Sequence, residues 1–445
     1  MSKRGLKVHR RLFLSALAAA AIRPSRPAAA PLGLKAAARE AWLFGLPLIE
    51  IARVRAKALD GGGSPNKIVH ARELATHTSR SVTTPNNDTL YSNAWLDLTQ
   101  GPVAITLPKT DERYFSVALM DAYSNNVAVL GARTTGGDGG RFVVVGPDAA
   151  TSEPLAIRSP TPWLWMLGRT LVDGKADLSA ARAIQDELTV SGPAGSKPAA
   201  TASRNARWDE YFRALQALMN ESPPRPTDTG LLRRISALGL QIGGTFDPDR
   251  FPAPAAAEIE AGVADAKVVL RGGMGQGLRH DNWVYSKINI GDFGQDYLYR
   301  AQVALGGLGA LPRAEAMYML AVNDDGRPAL DSARTWKLSF PANAPPAVGA
   351  FWSLSMYEIT GEGQFFFSEN PIGRYTIGDR TPGLRRGPGG SLDIWMTRTD
   401  PGGERTASWL PSPAVRPFSL VFRGYLPKPA MIEGEYRLPA VRMAG

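Results

Sequence analysis

Two acidic side chains stand where an apolar strand pattern ends. In the run from Phe115 to Asp121, alternation puts Asp121 on the face of Phe115, Val117 and Leu119; in the run from Trp352 to Glu358 it puts Glu358 on the face of Trp352, Leu354 and Met356. An acid at the edge of such a face is poorly hydrated, so its proton is held more tightly, and two carboxyl groups facing one bond can cleave a glycoside by general acid–base or nucleophilic chemistry. A third acid, Asp88, belongs to the turn-rich string Asn86-Asn87-Asp88-Thr89. Asn87 and Asp88 could present an amide and a carboxylate to a sugar or a hard cation, although Asn and Asp in turns also commonly bond their own backbone. Just downstream, Tyr91, Asn93, Trp95 and Asp97 share one face of an extended segment, opposite Leu90, Ala94, Leu96 and Leu98. That placement marks an interaction surface with aromatic stacking groups.

These residues predict catalytic roles for Asp88, Asp121 and Glu358, and substrate contacts from Asn87, Tyr91, Trp95, Arg113, Arg133 and Arg374. The arginines could hold an anionic ligand or pair with structural acids. Two function classes fit. One is a hydrolase acting on a glycan or similar small polar substrate through paired carboxylates; the other is a non-catalytic carbohydrate-binding, ligand-binding or assembly protein of the periplasm. Neither requires a cofactor, a Ca²⁺ or Mg²⁺ ion at the Asn/Asp turn being the one candidate addition. A small-molecule or glycan partner is expected, and a homo-oligomer is compatible with either class.

Other chemistries lack their signatures. There is no Gly-x-Ser-x-Gly elbow, P-loop or His-Glu-x-x-His string. The glycine-rich Gly272-Gly273-Met274-Gly275-Gln276-Gly277 follows a helical pattern, not a strand, which removes a dinucleotide-binding reading. Ser64-Pro65-Asn66-Lys67 fits Ser-x-x-Lys without its companion motifs. His70, His77 and His280 are too few and too scattered for zinc, and with no cysteine a structural zinc site has no thiolates.

The elements that must position these residues divide the 445-residue chain into several parts. Residues 1–30 combine Arg10-Arg11-Leu12-Phe13-Leu14, a short apolar run and small residues, the pattern of a twin-arginine signal peptide and so of periplasmic or secreted localisation. Its apolar core is too short for a membrane span, so stable insertion is not expected. Seven basic residues lie in this segment, and without them the formal charge falls from +10 to +3. No stripe of Lys and Arg interleaved with aromatics remains, which argues against nucleic acid. Residues 31–78 read as a helical segment with Pro47 inside it, followed by a loop; 79–200 as a first β domain; 201–312 as a helical connection; and 313–445 as a second β domain. The fold class is therefore mainly β with helical additions (α+β). With no cysteine available for a disulfide, packing alone must hold it.

The β regions resemble each other. Leu107-Pro108 precedes Tyr114-Phe115-Ser116-Val117-Ala118-Leu119-Met120-Asp121, and Phe340-Pro341 precedes Phe351-Trp352-Ser353-Leu354-Ser355-Met356-Tyr357-Glu358. A duplicated β domain accounts for both.

Longer strings carry a further likeness. Thr84-Pro85-Asn86-Asn87-Asp88-Thr89-Leu90-Tyr91-Ser92, Trp95-Leu96-Asp97-Leu98, Asp121-Ala122-Tyr123-Ser124-Asn125-Asn126 and Arg133-Thr134-Thr135-Gly136, with Phe351 to Tyr357, Arg374-Tyr375 and Trp409-Leu410-Pro411-Ser412-Pro413, resemble a bacterial and fungal family of paired domains of unknown function, 1254 followed by 1214. The resemblance implies two antiparallel jelly-roll-like β-sandwich domains and no established activity. Glu358 stands where that family often has Asp, and Ser408 where Asn usually precedes Trp-Leu-Pro. The first departure puts any role needing tight carboxylate geometry there in doubt.

Overall fold

The computed structural model describes residues 30–80, 82–272, 277–387 and 389–444. The expected signal peptide lies, apart from its last residue, outside the described residues.

Helix α1 (Leu34–Asp60) is one unbroken element that carries Pro47 within it. Its residues 41–52 are buried on every side, because α1 packs in one core with the later helices α3 (Trp208–Glu221), α4 (Thr229–Arg234), α5 (Ala253–Gly272) and α6 (Tyr297–Gly306). The helical layer is thus assembled from the N-terminal segment and the middle of the chain. Among the described residues, no helix is long and apolar enough to cross a membrane.

The first β region contains β1 (Ile68–His70), β2 (Thr89–Asp97), β3 (Val103–Leu107), β4 (Phe115–Asp121), β5 (Asn126–Gly131), β6 (Gly140–Val145), β7 (Ile157–Arg158), β8 (Trp163–Leu171), helix α2 (Leu178–Glu187) and β9 (Thr189–Ser191). They form one sheet in the order β1-β2-β8-β4-β5 and another in the order β7-β6-β3-β9. Alternate residues from both sheets, among them Leu96, Ile105, Val117, Val144 and Met166, meet in one core. All seven residues of β4 are buried, since helices and the second β region cover the other face of its sheet.

The second region contains β10 (Leu278–His280), β11 (Trp283–Tyr285), β12 (Ala316–Ala321), β13 (Trp336–Phe340), β14 (Trp352–Ile359), β15 (Phe365–Phe366), β16 (Thr376–Gly378), β17 (Leu392–Thr397), β18 (Trp409–Pro411), β19 (Phe418–Tyr425), helix α7 (Pro429–Ile432) and β20 (Arg442–Met443). Its sheets run β10-β11-β12-β19-β14, with β15 and β16 both on β14, and β18-β17-β13-β20. The order repeats that of the first region strand for strand: β12, β13, β14, β16, β17, β18, β19 and β20 occupy the places of β2 to β9. Even the parallel pairs correspond, β6 with β7 and β17 with β18. The molecule is a mixed α+β protein with four sheets among the described residues, built on a duplicated strand order.

Jelly-roll connectivity, expected from the sequence, is not what these orders show. β4 and β5 are consecutive strands paired in one sheet, and β7 runs parallel to β6. The sheets also begin earlier than expected, at Ile68 and Leu278; three-residue edge strands are too short to show a period.

Matched registers set a row of identical residues across the two large sheets. Tyr91, Arg169, Ser116 and Gly131 lie side by side on β2, β8, β4 and β5; Tyr318, Arg423, Ser353 and Gly378 do so on β12, β19, β14 and β16. The glycines have a steric cause. A Cβ on Gly131 would sit 2.2 Å from the Phe115 carbonyl oxygen, and one on Gly378 2.3 Å from that of Trp352. Gly131→Ala and Gly378→Ala are each expected to lower unfolding free energy in urea by about 2–4 kcal/mol, whereas Gly361→Ala, with open space around its Cα, changes it by less than about 0.5 kcal/mol.

Candidate functional site

The tyrosine and arginine ends of the two rows meet at a cavity of about 780 Å³ between the β regions, lined further by the ends of α1 and α6. Tyr91, Arg169, Tyr318 and Arg423 all line it. The guanidinium groups are nearly inaccessible, with residue exposures of 6% and 4%. Each is anchored by the opposite half of the molecule: Arg169 Nη2 donates to the Gly309 carbonyl at 2.7 Å, just upstream of β12, and Arg423 Nη2 donates to the Thr84 carbonyl at 2.9 Å, just upstream of β2. Arg423 Nη1 also donates to Ser355 Oγ at 2.9 Å, while buried Arg169 Nη1 has no partner. Among the described residues neither arginine forms an ion pair with a carboxylate. Burial opposes the charge on both guanidinium groups, but the intrinsic basicity of arginine is high enough that both stay charged.

The phenols are arranged as donors. Tyr91 Oη accepts from the Asn86 backbone N–H at 3.0 Å, Tyr425 Oη from Asn86 Nδ2 at 2.5 Å, and Tyr318 Oη from the Leu311 N–H at 3.0 Å. Each oxygen is thereby held as an acceptor and its own proton is left to give. Burial pushes the Tyr318 and Tyr425 pKa values up, which keeps those protons in place. On the first-domain side the cavity has an aromatic wall: Trp95 and Trp165 stack at 5.5 Å and 10°, and Trp165 Nε1 donates to Asn93 Oδ1 at 3.1 Å. The corresponding places in the second domain hold Val322, Ser419 and Leu320, so the site is symmetric at its charged centre and asymmetric in its walls.

The acids of each half pair across the junction. Asp88, one residue before β2, lies 3.8 Å from Arg380 Nη2, and Glu315, one residue before β12, accepts from Arg133 Nε at 2.7 Å. Arg133 and Arg380 each follow the row glycine by two residues. Tyr114 Oη donates to Glu315 at 2.9 Å; Phe351 takes the equivalent place beside Asp88 and offers its ring to Arg380 instead, at 4.2 Å. Asp88 Oδ2 is buried, with the Ser353 hydroxyl beside the carboxylate but no well-formed hydrogen bond to it. Burial raises the Asp88 pKa despite the opposing pull of Arg380, the Ser353 hydroxyl and Arg423.

The residues expected to form an active centre from the sequence separate in space. Asp88 lies at the end of its sheet where β4 begins, and Asp121 six residues along β4, roughly 20 Å away. Glu358 is five residues along β14 from Ser353, roughly 17 Å. The paired-carboxylate geometry is therefore corrected. Asp121 closes a turn: its Oδ1 accepts the N–H groups of Tyr123 and Asn125 at 2.9 and 2.8 Å, and Arg225 Nη2 meets Oδ2 at 2.7 Å. Glu358 meets Arg80 at 3.1 Å on the surface. Of the expected binding residues, Tyr91 and Trp95 line the cavity. Asn87 Nδ2 donates to the Ala75 carbonyl, Arg113 is held by Asp177, Arg133 by Glu315, and Arg374 Nη1 donates to the carbonyls of Thr406, Ala407 and Trp409. These four therefore serve the framework. Among the described residues no three His, Cys, Asp or Glu side chains converge as a metal site. His70 and His77 instead bond Ser92 Oγ and Tyr375 Oη, each at 2.8 Å.

Arg169, Arg423 and Tyr318 went unnoticed in the sequence. The signal was present: Gly168-Arg169 and Phe422-Arg423 each lie in the strand paired with the repeated aromatic-Ser strand, and Gly-x-Arg recurs at 131–133 and 378–380.

Fold and site together define a two-domain α+β protein of duplicated strand order with a cationic, phenol-lined cavity at its junction. The chain belongs to the family that joins a DUF1254 domain, matched at residues 65–192, to a DUF1214 domain, matched at 315–429, each described as a protein of unknown function. It shares its fold with the VPA0106 protein from Vibrio parahaemolyticus, at 21% identity and a TM-score of 0.67 over 92% of this chain and 100% of that one. An uncharacterized protein from Burkholderia cenocepacia matches at 14% identity and a TM-score of 0.46 over 90% of this chain and 87% of that one. No curated protein matches the chain.

Because the folded-state pKa of Asp88 lies above its ordinary 3.8, its ionisation disfavours the native state. The contribution is absent below pH 3.8 and grows as pH rises through the folded value. Asp88→Asn is expected to raise Tm at pH 7 relative to the parent, with the difference vanishing toward pH 3.5; a lower Tm for the variant at pH 7 would contradict this assignment.

Proposed function

We propose that the protein binds a small organic anion in the interdomain cavity, its charged group between Arg169 and Arg423 and its apolar or aromatic body against Trp95, Trp165 and Leu167. The observation that carries this reading is the pair of buried guanidinium groups with no carboxylate partner, both bordering one open space. An uncompensated buried cation is costly, and an anionic ligand supplies the missing charge. The free protons of Tyr91, Tyr318 and Tyr425 add donors to the same point.

The ligand's orientation follows from the walls. The tryptophan pair and Leu167 form the apolar part of the lining, while the end of α6 lies beside the arginines, where Gly309 accepts from Arg169 and Thr84 bonds both Gly306 and Arg423. The anionic group therefore lies at the guanidinium groups and the apolar body against the tryptophans. Exposed Lys57 and Lys67 line the mouth beside Glu73 and favour entry of negative ligands. The twin-arginine pattern of the N-terminus supports a role for this binding in the periplasm. A hydrolase using Asp88, Asp121 and Glu358 is not favoured, because those acids share no common space with a substrate.

Calorimetry and thermal shift with benzoate, hexanoate, phenyl phosphate and the neutral sugars glucose and cellobiose test the reading. Saturable binding of anions is expected, with no response to the sugars. Arg169→Met and Arg423→Met each weaken anion binding by about 10- to 100-fold, the value of one charge-assisted hydrogen bond, while remaining folded by circular dichroism. Sugar binding that survives both substitutions, with no anion bound, would overturn it.

A further inference from the structure

We infer that the bound group carries two negative charges, one for each repeat. This deepens the anion-binding reading above and rests on it.

The charge balance at the junction supplies the argument. Each half brings one acid and two arginines to the junction: Asp88, Arg133 and Arg169 from the first, Glu315, Arg380 and Arg423 from the second. The acids are already engaged with Arg380 and Arg133. A further acid, Asp379, lies 3.8 Å from Arg380 Nε; it is half-buried, lies outside the cavity lining and adds its charge to Arg380 and not to Arg169 or Arg423. Two cationic charges are left over, and both are buried at the cavity wall. A monoanion would neutralise one guanidinium and leave the other unmatched in a low-dielectric space.

The two surplus charges also address one region. Arg169 and Arg423 line one cavity together with Tyr91, Tyr318 and Tyr425, so the guanidinium groups and the hydroxyls border the same space. Two forks and three phenol protons make a donor set suited to a group with several charged oxygens. A phosphomonoester and a closely spaced dicarboxylate both present that chemistry.

Matched ligand pairs at pH 8 test it. Phenyl phosphate against methyl phenyl phosphate, and phthalate against benzoate, each vary the charge with the ring retained. Titration calorimetry of the parent is expected to show at least a 10-fold preference for the dianion in one or both pairs, the preferred pair identifying phosphomonoester or dicarboxylate. In Arg169→Met and in Arg423→Met that preference falls to within about 2-fold, while the monoanion is still bound. Binding of monoanion and dianion with equal affinity overturns the two-charge inference and leaves the anion site intact. Failure of all four ligands, together with the anions of the preceding test, overturns both.

Discussion

The structure depends on holding two guanidinium groups out of water between two domains. Desolvating Arg169 and Arg423 without a carboxylate is unfavourable, and the protein offsets part of that cost with carbonyl acceptors borrowed across the junction. Gly309 accepts from the arginine of the first domain and Thr84 from that of the second. Because the second half satisfies its arginine only in part, through Ser355, and the first half gives Arg169 no hydrogen bond of its own, each charged group is fully placed only when the domains are docked. The same crossing recurs in the acid pairs, Asp88 with Arg380 and Glu315 with Arg133.

Duplication explains how such an arrangement arises from one motif. A row of Tyr, Arg, Ser and Gly across four strands puts a cation on the outer face of a sheet, and a glycine at the end of the row lets the strands approach closely. Two copies placed face to face bring both cations to one axis. The walls have since diverged. Trp95 and Trp165 have Val322 and Ser419 as counterparts, and Tyr114 has Phe351, so a symmetric charged centre now serves an asymmetric ligand volume.

Asp121 and Glu358 illustrate why strand patterns mislead about acids. Both occupy the last positions of equivalent apolar strands, and both look desolvated in a linear reading. In the fold, Asp121 is buried but saturated by turn N–H groups and Arg225, while Glu358 is reached by Arg80 from the surface. Alternation reports the face on which a side chain lies; it carries no information about partners arriving from distant parts of the chain.

The sequence by itself determined the β texture of the two regions, their kinship, the helical character of residues 34–59, and the presence of Tyr91 and Trp95 on a distinct strand face. Those features follow from period and residue type, which are local properties of the chain. Only the tertiary structure decided which charges are compensated. Arg113, Arg133 and Arg374 looked as available as any arginine in the string, yet each is held by a remote partner, while Arg169 and Arg423 line the cavity without a carboxylate partner. Charge compensation depends on distances of a few ångströms between residues 32 to 182 positions apart, and no spacing along the chain encodes those distances.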